Sequence, residues 1–155
     1  MSFSIDLQFG DPRWRKSRGL PARLTAAAEL ALRRGRAGRK AALTILLADD
    51  AQLKTLNRDF RGKNKPTNVL SFPAPENPGR YLGDIALAYD TTQKEALAAG
   101  KCFADHATHL AIHGVLHLLG FDHVHARDAH KMEPLETRIL AEFGIADPYA
   151  IGAAS

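Results

Sequence analysis

Apolar and polar residues alternate from Phe3 to Phe9, the period-two pattern of a strand with one buried face. After a start that contains Pro21, Leu20 to Arg34 takes on helical spacing. Ala42 to Ala48 is a short apolar run that predicts a buried strand. A helix is predicted next, from Asp50 to Phe60, with Asp49 or Asp50 able to cap it. Thr67 to Phe72 and Tyr81 to Tyr89 predict two more strands, separated by the Pro- and Gly-rich stretch Pro73 to Gly79. Helices are predicted over Thr91 to Ala99, Asp105 to Leu119 and Ala126 to Phe143, the last kinked or interrupted at Pro134. The chain shows no repeat or linker. The expected fold is α/β: a single-domain sandwich over residues 1–155, with a roughly four-stranded mixed sheet covered by helices.

From Leu110 to Phe121 the only polar side chains are His113 and His117, so this helix is buried nearly all round. With His123 they form an H-x3-H-x5-H array. Residues four apart share a helix face about 6 Å apart along the axis, so His113 and His117 can converge on one ion. Gly120 can take the left-handed geometry that ends a helix and return His123 toward the same point. One buried histidine is usually a satisfied core residue. Three at this spacing read as ligands of one Zn²⁺ per chain, with a fourth position open for catalysis, so the metal site sits on a buried helix and predicts hydrolysis. His106 and His109 extend the stripe and are read as packing or hydrogen-bonding residues. His125 and His130 are read as facing solvent.

Zinc peptidases place the same histidines in H-E-x-x-H-x-x-G-x-x-H, where the glutamate is the general base. Gly114 holds that position, which disfavours peptide hydrolysis. Phosphodiester cleavage asks instead for a metal and a cation to stabilise charge on the phosphate oxygens. Arg61, Lys63 and Lys65 offer such cations in one loop, a bidentate fork and two point charges. The bland alternative for this loop is a solvated connection between helix and strand.

Asn57 to Pro73 reads N-x-x-F-R-x-K-x-K-P-T-N-V-L-S-F-P, Leu82 to Ile85 reads L-G-D-I, and His109 to His123 reads H-L-x-x-H-G-x-L-H-L-L-G-F-D-H. In these motifs the chain resembles the YbeY family, bacterial endoribonucleases of ribosomal RNA maturation. The resemblance runs from about Leu43 to Leu140 and includes Met132 and Glu136 in an M-x-x-x-E tail. It implies a zinc-dependent single-strand endoribonuclease that acts on the 3′ end of small-subunit rRNA and in ribosome quality control. It also implies that His113, His117 and His123 bind the metal and that Arg61 is the functional arginine. Many relatives carry aspartate where this chain has Asn68.

At 155 residues one domain is expected. Cys102 is the only cysteine, so no internal disulfide forms, and it is read as a small buried hydrophobe rather than a ligand. No apolar run approaches the roughly 20 residues of a membrane span, and the first residues lack a cationic signal start, so a cytoplasmic protein is expected. The net charge of +4 is uneven: Arg13 to Lys40 carries ten basic residues against Glu29 alone, leaving −5 for the rest. Such a segment suits contact with RNA or the ribosome, or else is a solvated basic face. Trp14 within it either stacks on a base or anchors the segment to the core.

Asp84 either faces the pocket or, as the favoured reading, bonds a neighbouring loop. Asp122 either accepts from a ligating histidine or caps a turn. The resulting expectation is metal-assisted RNA cleavage with Arg61 and His113 as catalytic residues, Arg61, Lys63 and Lys65 on the RNA, and His113, His117 and His123 on zinc. Its partners are ribosomal RNA and the small ribosomal subunit. The rival readings are a zinc peptidase and a non-catalytic ribosome-assembly factor whose zinc is closed by four protein ligands.

Overall fold

Three of the four strands run parallel, and the fourth, antiparallel at one edge, forms a wall of the histidine cleft. The computed structural model describes residues 3–62, 67–121 and 126–146, with the backbone alone for Arg61 and for 126–131. The elements are β1 (Ser4–Phe9), α1 (Arg13–Lys16), α2 (Leu20–Arg34), β2 (Ala42–Ala48), α3 (Asp50–Arg61), β3 (Val69–Pro73), β4 (Tyr81–Ala88), α4 (Tyr89–Ala98), α5 (Phe103–Leu118) and α6 (Ala126–Glu142). The sheet order is β1-β2-β4-β3. β1 pairs parallel to β2 from Ser4↔Ala42 to Phe9↔Leu47, and β2 pairs parallel to β4. β3 and β4 form an antiparallel hairpin, Val69↔Leu87 to Pro73↔Gly83.

Strand alternation sorts the apolar side chains between two faces. Leu43, Ile45, Leu47, Ile85 and Leu87 enter the main core with the apolar sides of α2, α5 and α6. Leu70, Ala86 and Ala88 point the other way and form a smaller core with Leu53 of α3. The sheet is therefore covered by helices on both faces, where the sequence alone predicts cover on at least one.

Two adjacent aspartates divide the capping work. Asp49 accepts from Gln52 N at 2.7 Å, and the Gln52 side chain accepts from Asp49 N at 3.1 Å, a reciprocal cap on α3. Asp50 instead accepts from Thr91 N and Oγ1 at 2.9 and 2.7 Å, which ties the start of α3 to the first turn of α4.

The basic segment is less free than its composition suggests. Trp14 is fully buried, donates to the Ala48 carbonyl at 2.9 Å and packs edge-on to Tyr89, so of its two readings the core anchor holds and base stacking does not. Arg13 bridges Asp11 and Asp90, Arg23 pairs with Asp105, and Arg34 pairs with Glu142. Cys102 also departs from expectation: it is exposed and caps α5, its Sγ accepting from Asp105 N at 3.4 Å. Its polar sulfur serves a helix terminus rather than the core. Pro134 lies inside α6, which continues through it as one helix.

Candidate metal centre

α5 carries the histidines across the face of the sheet, and its closeness to β4 comes from Gly114. A Cβ there would meet Ile85 Cγ2 at 2.8 Å, and the Gly114 carbonyl accepts from Ser71 Oγ at 3.2 Å. The position where zinc peptidases carry glutamate is thus pressed against the strand, with no room for a side chain. The helix ends as the sequence predicts. Gly120 takes φ 100°, Gly120 N donates to the His117 carbonyl and Phe121 N to Leu116, both at 3.0 Å. This pair of bonds satisfies the last carbonyls and turns the chain immediately before residues 122–125.

His113 and His117 line a cleft of about 220 Å³ with Val69, Ser71 and Pro73 of the edge strand. Their Nε2 atoms approach to 3.0 Å. Behind them, Glu136 of α6 is completely buried and faces His113 Nδ1 at 3.1 Å and His109 Nε2 at 2.9 Å. Burial would raise its pKa, but the bonds from His109 and His113 outweigh that and hold the carboxyl at about 2. The ionised carboxylate only accepts, so the His113 proton resides on Nδ1 and the lone pair on Nε2 faces His117. Two imidazole nitrogens converging on one point, one with its proton held away, fit a cation. His109, His113 and Glu136 also form a candidate three-residue metal site, with ligand atoms all within 4.8 Å. Since Glu136 receives a ring nitrogen from each histidine, its chemistry in this grouping is that of an orienting acceptor shared between them.

The structure brings His113 and His117 together. His123, Lys63, Lys65, Asp122 and His125 lie outside the described residues, as do the side chains of Arg61 and His130. The Arg61 backbone is the last residue of α3, released into the next loop by Gly62 at φ 69°. Its neighbour Phe60 packs on Phe72 of β3, with ring centroids 5.7 Å apart. α3 and α5 therefore reach the edge strand from its two sides. Asp84 is exposed on the α3 side of the sheet and accepts from the Tyr81 hydroxyl, so it faces away from the histidines. Its partner lies on its own strand rather than on a neighbouring loop.

His106 and His109 act as hydrogen-bonding residues, as expected. His106 Nε2 lies 2.8 Å from Glu95, and burial lowers its pKa against the raising effect of that carboxylate. Asn68 donates to the same Glu95 at 3.0 Å, so the amide supplies a donor where an aspartate would set two carboxylates together. Glu136 was visible in the sequence without a role. Its signal is its position on the face of Met132, Ile139 and Leu140, a carboxylate at i, i+4 spacing within a buried stripe.

The model of the endoribonuclease YbeY family matches residues 15–144. This chain belongs to the YbeY family. It is 46% identical to an endoribonuclease YbeY of a Chelativorans species over 96% of this chain and 94% of that protein. A Ruegeria pomeroyi YbeY shares 46% identity over 96% and 99%, and a Rhodopseudomonas palustris YbeY 54% over 71% and 68%. A solution structure of a Thermotoga maritima protein has the same fold, with a TM-score of 0.60 at 24% identity over 94% of this chain and 99% of that one. Among the described residues no helix is long and apolar enough to cross a membrane.

Proposed function

We propose that residues 1–155 form one metallohydrolase domain that cleaves single-stranded RNA in the maturation of small-subunit rRNA and in ribosome quality control, in the cytoplasm. The observation that carries this reading is the His113 ring, its Nδ1 on the buried Glu136 and its Nε2 3.0 Å from His117 Nε2 at the cleft. Zn²⁺, one ion per chain, is held by His113, His117 and His123. When bound it supplies Lewis acidity for a phosphodiester oxygen or for the attacking hydroxyl. Arg61 neutralises charge that builds on the non-bridging oxygens, and Lys63 and Lys65 hold flanking phosphates. His113 presents an unprotonated nitrogen because Glu136 keeps its proton on the far side. The peptidase reading meets the packing of Gly114, which leaves no space for a carboxylate at the position where zinc peptidases carry their general base.

Elemental analysis with cleavage of a ribosomal precursor RNA tests the proposal. The protein carries about one zinc per chain. His117→Ala loses the metal, chelation abolishes cleavage, and added zinc restores it. Intact RNA cleavage by protein without stoichiometric metal overturns it, and so does a metal closed by four protein ligands.

A further inference from the structure

The described chain has three non-glycine residues with positive φ, and all three are basic: Arg36 at 62°, Lys40 at 60° and Arg80 at 56°. A left-handed backbone is strained for any residue with a Cβ, and glycine or asparagine relieves it. Their clustering identifies a place where a cationic side chain is kept at the expense of local conformation. The place is one corner of the molecule. Arg80 Nη1 donates to the Arg39 carbonyl at 2.8 Å, and the Arg80 carbonyl accepts from Ala42 N at 3.1 Å, which clips the hairpin tip to the α2–β2 loop. Arg33, Arg36, Arg39, Lys40 and Arg80 are all exposed there. Among the described residues no ion pair engages any of them, and the nearby Glu142 is bonded to Arg34.

This corner lies at the end of the sheet where the histidine helix finishes. Gly35 abuts Leu119, two residues past His117, and Gly83 abuts Leu118. Gly83 in turn pairs with Pro73, which lines the histidine cleft. We propose that the α2–β2 loop and the hairpin tip form a second RNA-contact surface, which holds the phosphates of a strand whose reacting segment lies in the cleft. The inference rests on RNA being the substrate and goes beyond that reading in assigning a separate binding surface. Four guanidinium groups suit bidentate phosphate contact. Among the described residues the exposed large hydrophobic side chains are Phe60 and Leu97, on other elements, so the corner lacks the apolar anchor that a lipid surface favours.

The test combines binding and turnover in the zinc-loaded full chain. Binding is measured on a long unstructured strand, 2′-O-methylated so that it is not cut. Arg36→Gly with Lys40→Gly removes two charges and releases two strained backbones, so the melting temperature stays equal or rises while affinity falls about tenfold and the salt slope shrinks by about 1.4. Adding Arg33→Gln and Arg39→Gln shrinks the slope by about 2 to 3 in total. On a long cleavable RNA KM rises with kcat unchanged, whereas a short oligonucleotide confined to the cleft is cut as by the parent. Affinity and slope equal to the parent's overturn the proposal. Loss of binding to anionic vesicles, with RNA binding unchanged, overturns it in favour of a membrane. A parent that binds the long strand through this corner and cuts no RNA refutes the nuclease reading and leaves the binding surface standing.

Discussion

Glu136 Oε1 lies 3.1 Å from His113 Nδ1, and that contact decides which ring nitrogen of His113 faces the cleft. A buried carboxylate on α6 thereby sets the chemistry available on α5. The same carboxylate takes His109 at 2.9 Å, so one residue fixes two rings one turn apart.

Glu136→Gln keeps the size of the side chain but offers one acceptor oxygen and one amide donor to two ring nitrogens. One histidine then loses its acceptor. The expected outcome is zinc affinity reduced about 10- to 100-fold and stability reduced by about 1–3 kcal/mol. A competition titration with a chromophoric chelator, run with a thermal melt, measures both. Unchanged affinity with lowered stability assigns Glu136 to anchoring α6 alone.

Arg61→Ala reduces RNA turnover by about two to three orders of magnitude while zinc content and melting temperature hold. Arg61→Lys recovers part of the loss, because an ammonium supplies charge without the planar fork. Parental turnover in Arg61→Ala moves the search for the catalytic cation to Lys63, Lys65 or beyond this loop.

Gly114→Ala forces a Cβ to within 2.8 Å of Ile85 Cγ2, an atom close to the backbone of β4 with little freedom to retreat. The substitution lowers stability by about 1–3 kcal/mol. In an Ile85→Ala background the penalty shrinks, because the colliding branch is gone. Denaturant melts of the four proteins give the coupling, and strictly additive losses show that α5 shifts freely over the sheet.

The bonds from Arg13 hold the carboxyls of Asp11 and Asp90 below the ordinary aspartate range. A depressed carboxylate stabilises the fold above its unfolded pKa, and the contribution is lost as pH falls through the folded value. Parent and Arg13→Met therefore differ in melting temperature by a constant amount above about pH 5, where the unfolded carboxyls are ionised, and converge as pH falls through the depressed carboxyl range of the folded protein. Curves that stay parallel through this acid range refute the ion-pair contribution.

Elements long enough to show a period were legible in the sequence. α2 and β2 occupy the predicted Leu20–Arg34 and Ala42–Ala48 because their apolar spacing is uninterrupted. The four residues of α1 are too few to establish any period, which also hid the burial of Trp14. The junction of β4 with α4 falls at Tyr89 rather than Thr91, since an aromatic residue suits either element. His113 and His117 were legible as a pair because helix geometry alone sets their relation. Glu136 was not, because its partners lie 23 and 27 residues away and only the packing of α6 on α5 joins them. The side of the sheet that Asp84 faces likewise depends on register, and Cys102 on where α5 starts.

β3 ends the sheet beside the histidine cleft, and among the described residues nothing pairs with its outer side. An unpaired strand is a template for adventitious pairing with another chain, so placing a site there exposes the fold to self-association. Its five residues are few for such a template, and Pro73 brings no N–H to the last rung. The strand is thus long enough to wall the cleft yet too short and too poor in donors to seed a ladder between molecules. Openness to a nucleic acid and resistance to aggregation are met by the same five residues.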